Sequence, residues 1–182
     1  MNQTLNTESL MQISLFEKLT KAKVKDCFED DFKQLTFCVQ PGQLYRAIGK
    51  DAKTIKKIDQ LFKRKIRVIE YNPKIEKFIA NLCHPNKIDK VDFSEQKLWD
   101  ETKRLAIIYP SDIKSRGYII GKAGVGLRNI ESIVRRYFKI DEIKVAQVAS
   151  NDLNNNQNNN VGDVNFNLPD DSELDIDSIL SD

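Results

Sequence analysis

The sequence predicts an α+β fold made of two copies of one α-β-β-α-α-β unit, followed by a disordered acidic tail. Each unit is expected to form a three-stranded sheet with its helices packed on one face. Three observations predict this fold: a repeated glycine motif, helix-like and strand-like apolar periods around each copy of it, and a sharp division of charge. The motif Ile48-Gly49-Lys50-Asp51-Ala52 recurs 72 residues later as Ile120-Gly121-Lys122-Ala123-Gly124.

The first copy is predicted to span residues 7–72. Apolar residues recur at a spacing of three from Leu10 to Leu19, which is typical of a helix. Apolar runs separated by an acidic turn predict two strands, and Asn72-Pro73 marks the end of the unit. The predicted elements are a helix at 7–19, strands at 22–28 and 34–40, helices at 44–48 and 53–64 around the glycine motif, and a strand at 66–71.

The second copy, predicted at residues 73–149, repeats this order. A unit of about 70 residues has a marginal core on its own, so we expect the two copies to pack on each other. The predicted elements are a helix at 74–83, strands at 87–93 and 104–109, helices at 112–120 and 125–138, and a strand at 142–148.

Charge divides the chain into a basic body and an acidic tail. All 29 Lys and Arg residues lie in residues 1–150 against 19 Asp and Glu residues, which gives a net charge of +10. Residues 151–182 hold 8 acidic residues and no basic one. Low-complexity Asn-rich sequence, then acidic positions alternating with apolar ones, predict disorder over residues 150–182.

Composition excludes several classes of protein. No apolar run approaches the roughly 20 residues that span a bilayer, and the amino terminus lacks the basic start of a signal peptide. We therefore expect a cytoplasmic protein with no membrane partner. Cys27, Cys38 and Cys83 are spaced as reduced, half-buried residues, and Cys83-His84 is poor zinc-ligand spacing. We expect no metal, no cofactor and no enzymatic activity, because neither a catalytic triad nor a nucleotide-binding glycine order is present.

A Gly-x-x-Gly turn between two helices has a specific physical use. Glycine lets the chain reverse and lets another backbone approach closely, and the helix that follows points its N–H groups and positive dipole at the turn. Together these features predict a phosphate cradle. The predicted cradle residues are Gly121, Lys122, Ala123 and Gly124, with Gly49 and Lys50 in the first copy and an apolar floor of Ile119, Ile120, Leu127 and Ile130 for base faces.

The unit order with this loop between its middle helices resembles the KH domain in its prokaryotic, type II arrangement. Two such units without another folded domain resemble the short archaeal NusA-like transcription termination proteins, over residues 12–148. The resemblance implies that the loop clamps the backbone of about four single-stranded nucleotides. The segments that carry the closer match are residues 13–20, 24–27, 39–42, 47–50, 68–71 and 135–138.

The first copy departs from the motif. Ala52 places a methyl group where the second glycine would stand, and Asp51 puts a negative charge near the expected phosphate. That repulsion is worth about 1–4 kcal/mol at ~4 Å. We therefore expect the second unit to dominate RNA binding and the first unit to assist through its basic helix.

Several flanking residues have alternative interpretations. Lys53 and Lys57 lie in the first turns after the loop and either touch phosphate or form a solvated face; Arg128 holds a similar position in the second copy. Tyr45 and Tyr118 either stack on bases or pack half-buried. The remaining basic residues, among them Lys63, Arg64, Arg135 and Arg136, are interpreted as solvated, and Trp99 is expected in the core or an interface.

The function these features favour is binding of single-stranded RNA on nascent transcripts, by a monomer. The transcription role, in termination or elongation, is implied only by the resemblance. Two alternatives stay open: a KH protein of the ribosome or of RNA processing, and a scaffold that docks on RNA polymerase. The acidic tail either covers the RNA groove, binds RNA polymerase or another protein through Leu174, Ile176, Ile179 and Leu180, or only adds solubility.

Overall fold

The structure, a computed structural model, describes residues 7–99 and 101–148, apart from the side chains of Asp51 and Leu98. The predicted tail lies outside the described residues. The first unit contains α1 (Thr7–Thr20), β1 (Val24–Glu29), β2 (Leu35–Val39), α2 (Leu44–Ile48), α3 (Lys53–Phe62) and β3 (Ile66–Glu70). The second contains α4 (Ile75–Cys83), β4 (Ile88–Leu98), β5 (Glu101–Pro110), α5 (Ile113–Ile120), α6 (Val125–Arg135) and β6 (Glu142–Val145).

Each unit forms its own three-stranded sheet, and the two sheets have the same topology. In the first, β2 lies between β1, with which it is antiparallel, and β3, with which it is parallel. In the second, β5 lies in the same way between β4 and β6. The predicted order of elements is confirmed. In each unit, the two helices that flank the glycine turn connect the two parallel strands.

The helices of the first unit cover one face of its sheet. Side chains from β2 that point to this face, Phe37 and Val39, pack with Phe16 of α1, Ala47 of α2 and Ile58 of α3. The Phe16 and Phe37 rings stack with their centroids 4.1 Å apart. Alternate strand residues point to opposite faces, so this core uses only half of the side chains of β2.

The other face of the first sheet is covered by the second unit, and all five residues of β2 are therefore buried. Cys38 and Ile69 from this face belong to the core of the second unit, together with Phe78 of α4 and Val134 of α6. Helices α4 and α6 thus lie between two sheets. The expectation that the copies pack on each other is confirmed.

Buried polar contacts fix how the two units meet. Asp26 on β1 is 4% exposed and accepts hydrogen bonds from the Arg136 guanidinium and the Tyr137 hydroxyl, each at 3.0 Å. The Arg136 guanidinium also lies over the Phe28 ring, 4.0 Å from its centroid. Arg136, interpreted from sequence as a solvated cation, is instead an interface residue.

A second contact joins the β1–β2 hairpin to α6. Asn129, which is 1% exposed, accepts a hydrogen bond from the Asp31 N–H at 3.1 Å and donates one to Asp30 at 3.5 Å. Asp30 also faces the Arg67 guanidinium at 3.6 Å. Because Asn129 directly follows Arg128, the first unit holds the beginning of α6 in place just behind the second glycine turn.

Several predicted boundaries were wrong. Helix α6 ends at Arg135 rather than Phe138, because Tyr137 and Phe138 leave the helix to pack on Phe78. Helix α3 ends at Phe62 rather than Arg64, since Lys63 takes a left-handed conformation with φ of 51°. Strand β4 continues to Leu98 and β5 begins at Glu101, so both are longer than the strands predicted at 87–93 and 104–109. Trp99, which follows Leu98, is fully exposed, so of its two predicted positions the core is excluded and an interface stays a prediction.

Candidate nucleic-acid interface

The two glycine turns have the same backbone conformation. Gly49 has φ and ψ of 75° and 167°, and Gly121 has 70° and 174°. Each turn continues as a short 3-10 helix, in which the fourth residue donates a hydrogen bond to the carbonyl of the first at 3.2 Å in the first turn and 3.1 Å in the second. The two turns therefore agree in the conformation of their first glycine and in the hydrogen bond that closes them.

The first glycine of the second turn is required by its surroundings. A Cβ atom on Gly121 would lie 2.8 Å from the backbone nitrogen of Gly126, and one on Gly126 would lie 2.6 Å from the Ile119 carbonyl oxygen. Helices α5 and α6 therefore approach each other through backbone atoms. The first copy has Thr54 at the position of Gly126, and a Cβ on Gly49 would lie 2.1 Å from its Oγ1 atom.

The fourth residue of each turn is left-handed. Gly124 has φ of 75°, which glycine adopts freely, whereas Ala52 has φ of 56° in the same position of the first turn. Ala52, which departs from the motif, is therefore held in a strained backbone conformation. The side chain of Asp51, predicted to repel phosphate, is outside the described residues.

We expect Ala52→Gly to raise the free energy of unfolding by about 0.5 kcal/mol. Removing the left-handed strain gains about 1–2 kcal/mol, and the greater freedom of glycine in the unfolded chain offsets about 0.4–1 kcal/mol of that gain. Urea unfolding followed by circular dichroism measures the change. Ala47→Gly, at a buried position inside α2, is the control and should lower stability; a comparable loss in Ala52→Gly would contradict the strain.

Cationic side chains surround the second turn. Lys122 and Ala123 are exposed at its outer side. Arg128, one turn into α6, is exposed and places a guanidinium nitrogen 3.3 Å from where a Cβ of Gly124 would stand. Its guanidinium therefore lies against the turn, where it adds a second positive charge to that of Lys122.

Beside the first turn, Lys53 and Lys57 line a cavity of about 400 Å³ between α1 and α3. The cavity has an apolar lining of Leu19, Ile58 and Leu61, of which Leu19 and Leu61 are about half exposed. The structure thus places both lysines at the edge of an apolar groove between α1 and α3.

The predicted apolar floor divides into two layers. Ile120 and Leu127 are half-buried and line the surface beside the turn. Ile119 and Ile130 are 2% and 5% exposed and belong to the core of the second unit. Ile130 therefore supports the surface from beneath, and any contact with a base face would fall to Ile120 and Leu127.

Helix α5 has an exposed face, of which only Tyr118 was singled out from the sequence. Tyr118, for which stacking or packing was left open, is 62% exposed, and Tyr45 in the first unit is 78% exposed. Ile113 is 65% exposed, and open space surrounds Gly117. Ile113 and Gly117, four residues apart, lie on one side of the helix, a spacing that could have revealed this face from the sequence.

Asp112 fixes the start of α5 and so the position of this face. Its carboxylate accepts hydrogen bonds from the Ser115 N–H at 2.6 Å and from the Ser115 hydroxyl at 3.0 Å. These hydrogen bonds hold the pKa of Asp112 below its usual value. The cap therefore stays charged, and favourable to a helix amino terminus, throughout the neutral range.

The three cysteine thiols are buried and have low reactivity. Burial is the main cause that raises the pKa of Cys27 and Cys83 to about 12 and that of Cys38 to about 11. A thiol that stays protonated near neutral pH is a poor nucleophile and a poor metal ligand. Within residues 7–99 and 101–148, no group of His, Cys, Asp and Glu side chains is arranged to hold a metal ion. None of the helices in that part of the chain is long and apolar enough to cross a membrane.

This fold, with a Gly-x-x-Gly turn between the two middle helices, defines a KH-domain protein. The family model for the KH domain matches residues 11–92. The crystal structure of APE1850 covers 76% of this chain and 98% of its own, with a TM-score of 0.61 and 24% identity. That likeness establishes the fold.

Relatives identify the family more closely. The protein named probable transcription termination protein NusA of Methanococcus vannielii is 34% identical over 151 residues, which cover 83% of this chain and 84% of the relative. The protein of the same name from Methanocaldococcus jannaschii is 32% identical over 141 residues, covering 78% of this chain and 74% of the relative. The chain belongs to this archaeal NusA-like family.

Proposed function

We propose that this chain is a non-enzymatic protein that binds single-stranded RNA on nascent transcripts and acts in transcription termination or elongation. The transcription role is supported by the names of the relatives. The observation that carries RNA binding is the second turn, where Lys122 and Ala123 are exposed between two glycines at the start of α6 and the Arg128 guanidinium lies against Gly124.

In the proposed complex, RNA phosphates sit on the outer side of the second turn. The N–H groups of Gly121, Gly124 and Val125 already donate to carbonyls within the turn and α5, so the phosphate contacts fall to the exposed residues between them. Lys122 and Ala123 are those residues. The dipole of α6 and the charges of Lys122 and Arg128 then stabilise the phosphates without reading sequence.

The bases would lie against α5 and the beginning of α6. Ile120 and Leu127 form a half-buried apolar surface beside the turn, and Tyr118 offers a ring on which a base can stack. Unpaired bases can reach such a surface, whereas the bases of a duplex are stacked within it. This is the physical reason to propose single-stranded RNA rather than a duplex.

The first turn is proposed to contribute less. Its backbone matches that of the second turn, but Ala52 puts a methyl group at the position of Gly124 and Asp51 adds a negative charge to the turn. Lys53 and Lys57 can still attract the backbone of a strand that continues past the second turn. The first unit therefore adds long-range electrostatic attraction rather than a second clamp.

Binding of a short single-stranded RNA at several salt concentrations tests this function. If the turn holds about four phosphates, each releasing ~0.7 counterion, the logarithm of the association constant should fall against the logarithm of salt with a slope of about −3. The control is the duplex of the same sequence, which should bind more weakly. A slope near zero, or tighter binding of the duplex, would rule out a phosphate clamp on single strands.

A further inference from the structure

The second unit carries a projection that the first unit lacks. Strand β6 pairs with β5 only from Leu105 to Ile108, but β4 and β5 continue to pair outward as far as Leu98 and Glu101. Residues 95–98 and 101–104 therefore form a two-stranded ribbon, which together with Trp99 is here called the hairpin arm. In the first unit, the β1–β2 pairing ends at Leu35, level with the third strand, so no arm is formed.

The base of the hairpin arm is firmly held. The Arg104 N–H donates to the Asp141 carboxylate at 2.7 Å, and the Asp141 N–H donates to the Arg104 carbonyl at 3.0 Å. Lys103 forms an ion pair with Glu142 of β6 at 3.1 Å, and Arg104 forms one with Glu95 across the ribbon at 3.1 Å. From this base, four residue pairs project the tip by roughly 10 Å.

The tip presents the chain's single tryptophan to solvent. Trp99 is as exposed as a side chain can be, with a relative accessibility of 104%, whereas the largest buried side chains lie in the two cores. None of the apolar surface of Trp99 is buried in the fold. An exposed tryptophan on an anchored projection is the arrangement found where an aromatic side chain enters a pocket on a partner.

The charge of the arm favours a protein over a nucleic acid as that partner. Residues 95–104 carry three acidic and three basic residues, and two of the basic ones, Lys103 and Arg104, are already paired with carboxylates. Next to Trp99, the sequence places Asp100 and Glu101. Two acidic residues beside the tip would repel phosphates but would suit an apolar pocket with a basic rim.

We propose that the hairpin arm is a protein-docking element, in which Trp99 enters an apolar, basic-rimmed pocket on RNA polymerase. The choice of polymerase rests on the proposed function, since a factor acting on nascent transcripts works beside that enzyme. The tip of the arm at Glu101 lies ten residues of β5, roughly 30 Å, from Pro110, just before α5. RNA on the second glycine turn and a protein on the arm can therefore be bound by separate surfaces.

Trp99 can be labelled as 5-fluorotryptophan, and its single ¹⁹F NMR signal then reports on the proposed contact, because this chain has no other tryptophan and the polymerase is unlabelled. The experiment adds RNA polymerase purified from the same organism to the full chain and, separately, adds single-stranded RNA. Polymerase should bind and shift or broaden the ¹⁹F signal, and RNA should leave it unchanged. Trp99→Ala should weaken polymerase binding by at least about 30-fold, as the loss of a tryptophan hot spot does.

Phe32→Ala is the matched control, because Phe32 is an exposed aromatic residue on the hairpin of the first unit. It should bind polymerase like the unmodified chain. The proposal is overturned if polymerase does not bind, if Trp99→Ala binds it unchanged, or if RNA alone shifts the ¹⁹F signal of Trp99, which would make Trp99 a base-stacking residue. RNA affinity measured on Trp99→Ala by a labelled oligonucleotide separates these results from a failure of the proposed RNA binding.

Discussion

Replacing Lys122 and Ala123 together by aspartate is expected to weaken binding of single-stranded RNA by about 100-fold. The change reverses one positive charge and adds a negative charge at the two exposed positions proposed to face phosphate. At about 4 Å in a surface-like dielectric, each unit of charge is worth about 1–4 kcal/mol before screening by salt, so a total of about 3 kcal/mol is a modest expectation. Anisotropy of a labelled RNA at low salt measures the change.

The double variant is expected to fold. Both side chains are exposed, and Ala123 has φ of 52°, a conformation that aspartate tolerates better than alanine. Lys50→Asp is the matched control, because Asp51 already stands next to it and the change gives both turns two adjacent aspartates. It should lower affinity by less than about fivefold. Equal losses from the two turns would contradict the proposed difference between the units.

Asp26→Ala is expected to lower the free energy of unfolding by about 3 kcal/mol. The substitution leaves the Arg136 guanidinium and the Tyr137 hydroxyl without the acceptor that each contacts at 3.0 Å. Leaving one partner of a buried pair unsatisfied costs more than the pair contributes when intact. Urea unfolding of the full chain measures the loss, and Asp26→Asn, which keeps one acceptor oxygen, should lose less.

Asp31→Ala is the control for this stability effect. Asp31 has an exposed side chain on the same hairpin and meets the second unit only through its backbone N–H, which bonds to Asn129. Its removal should change stability by no more than about 0.5 kcal/mol. If Asp26→Ala were equally mild, the polar contacts between the units would have no role in holding them together.

The order of elements could be predicted because local signals agreed with the final fold. The helices show a period of three to four, the strands are short apolar runs, and glycine or proline stands at the breaks. The turn residues were also accessible from sequence, since the repeat at a spacing of 72 marked both glycines. The small size of each core predicted that the two units pack on each other, but not which residues make the contact.

What the sequence could not provide were the contacts between distant residues. The importance of Asp26 depends on residues more than a hundred positions away, Arg136 and Tyr137, and charge alone suggested a solvated side chain. The hairpin arm was missed because its residues are mostly polar, and strand pairing there satisfies backbone hydrogen bonds without burying an apolar face. Trp99 was predicted in the core or an interface because it lies between the strands of the second unit, and the structure excludes the core.

Mapping of backbone amide signals by NMR during titration with single-stranded RNA tests the central claim most directly. The account predicts that the largest chemical-shift changes fall on Lys122, Ala123 and the first turn of α6, with smaller changes around Lys53 and Lys57. Changes centred on Gly49 to Ala52, or spread evenly over both turns, would contradict the claim that the second unit holds the RNA backbone.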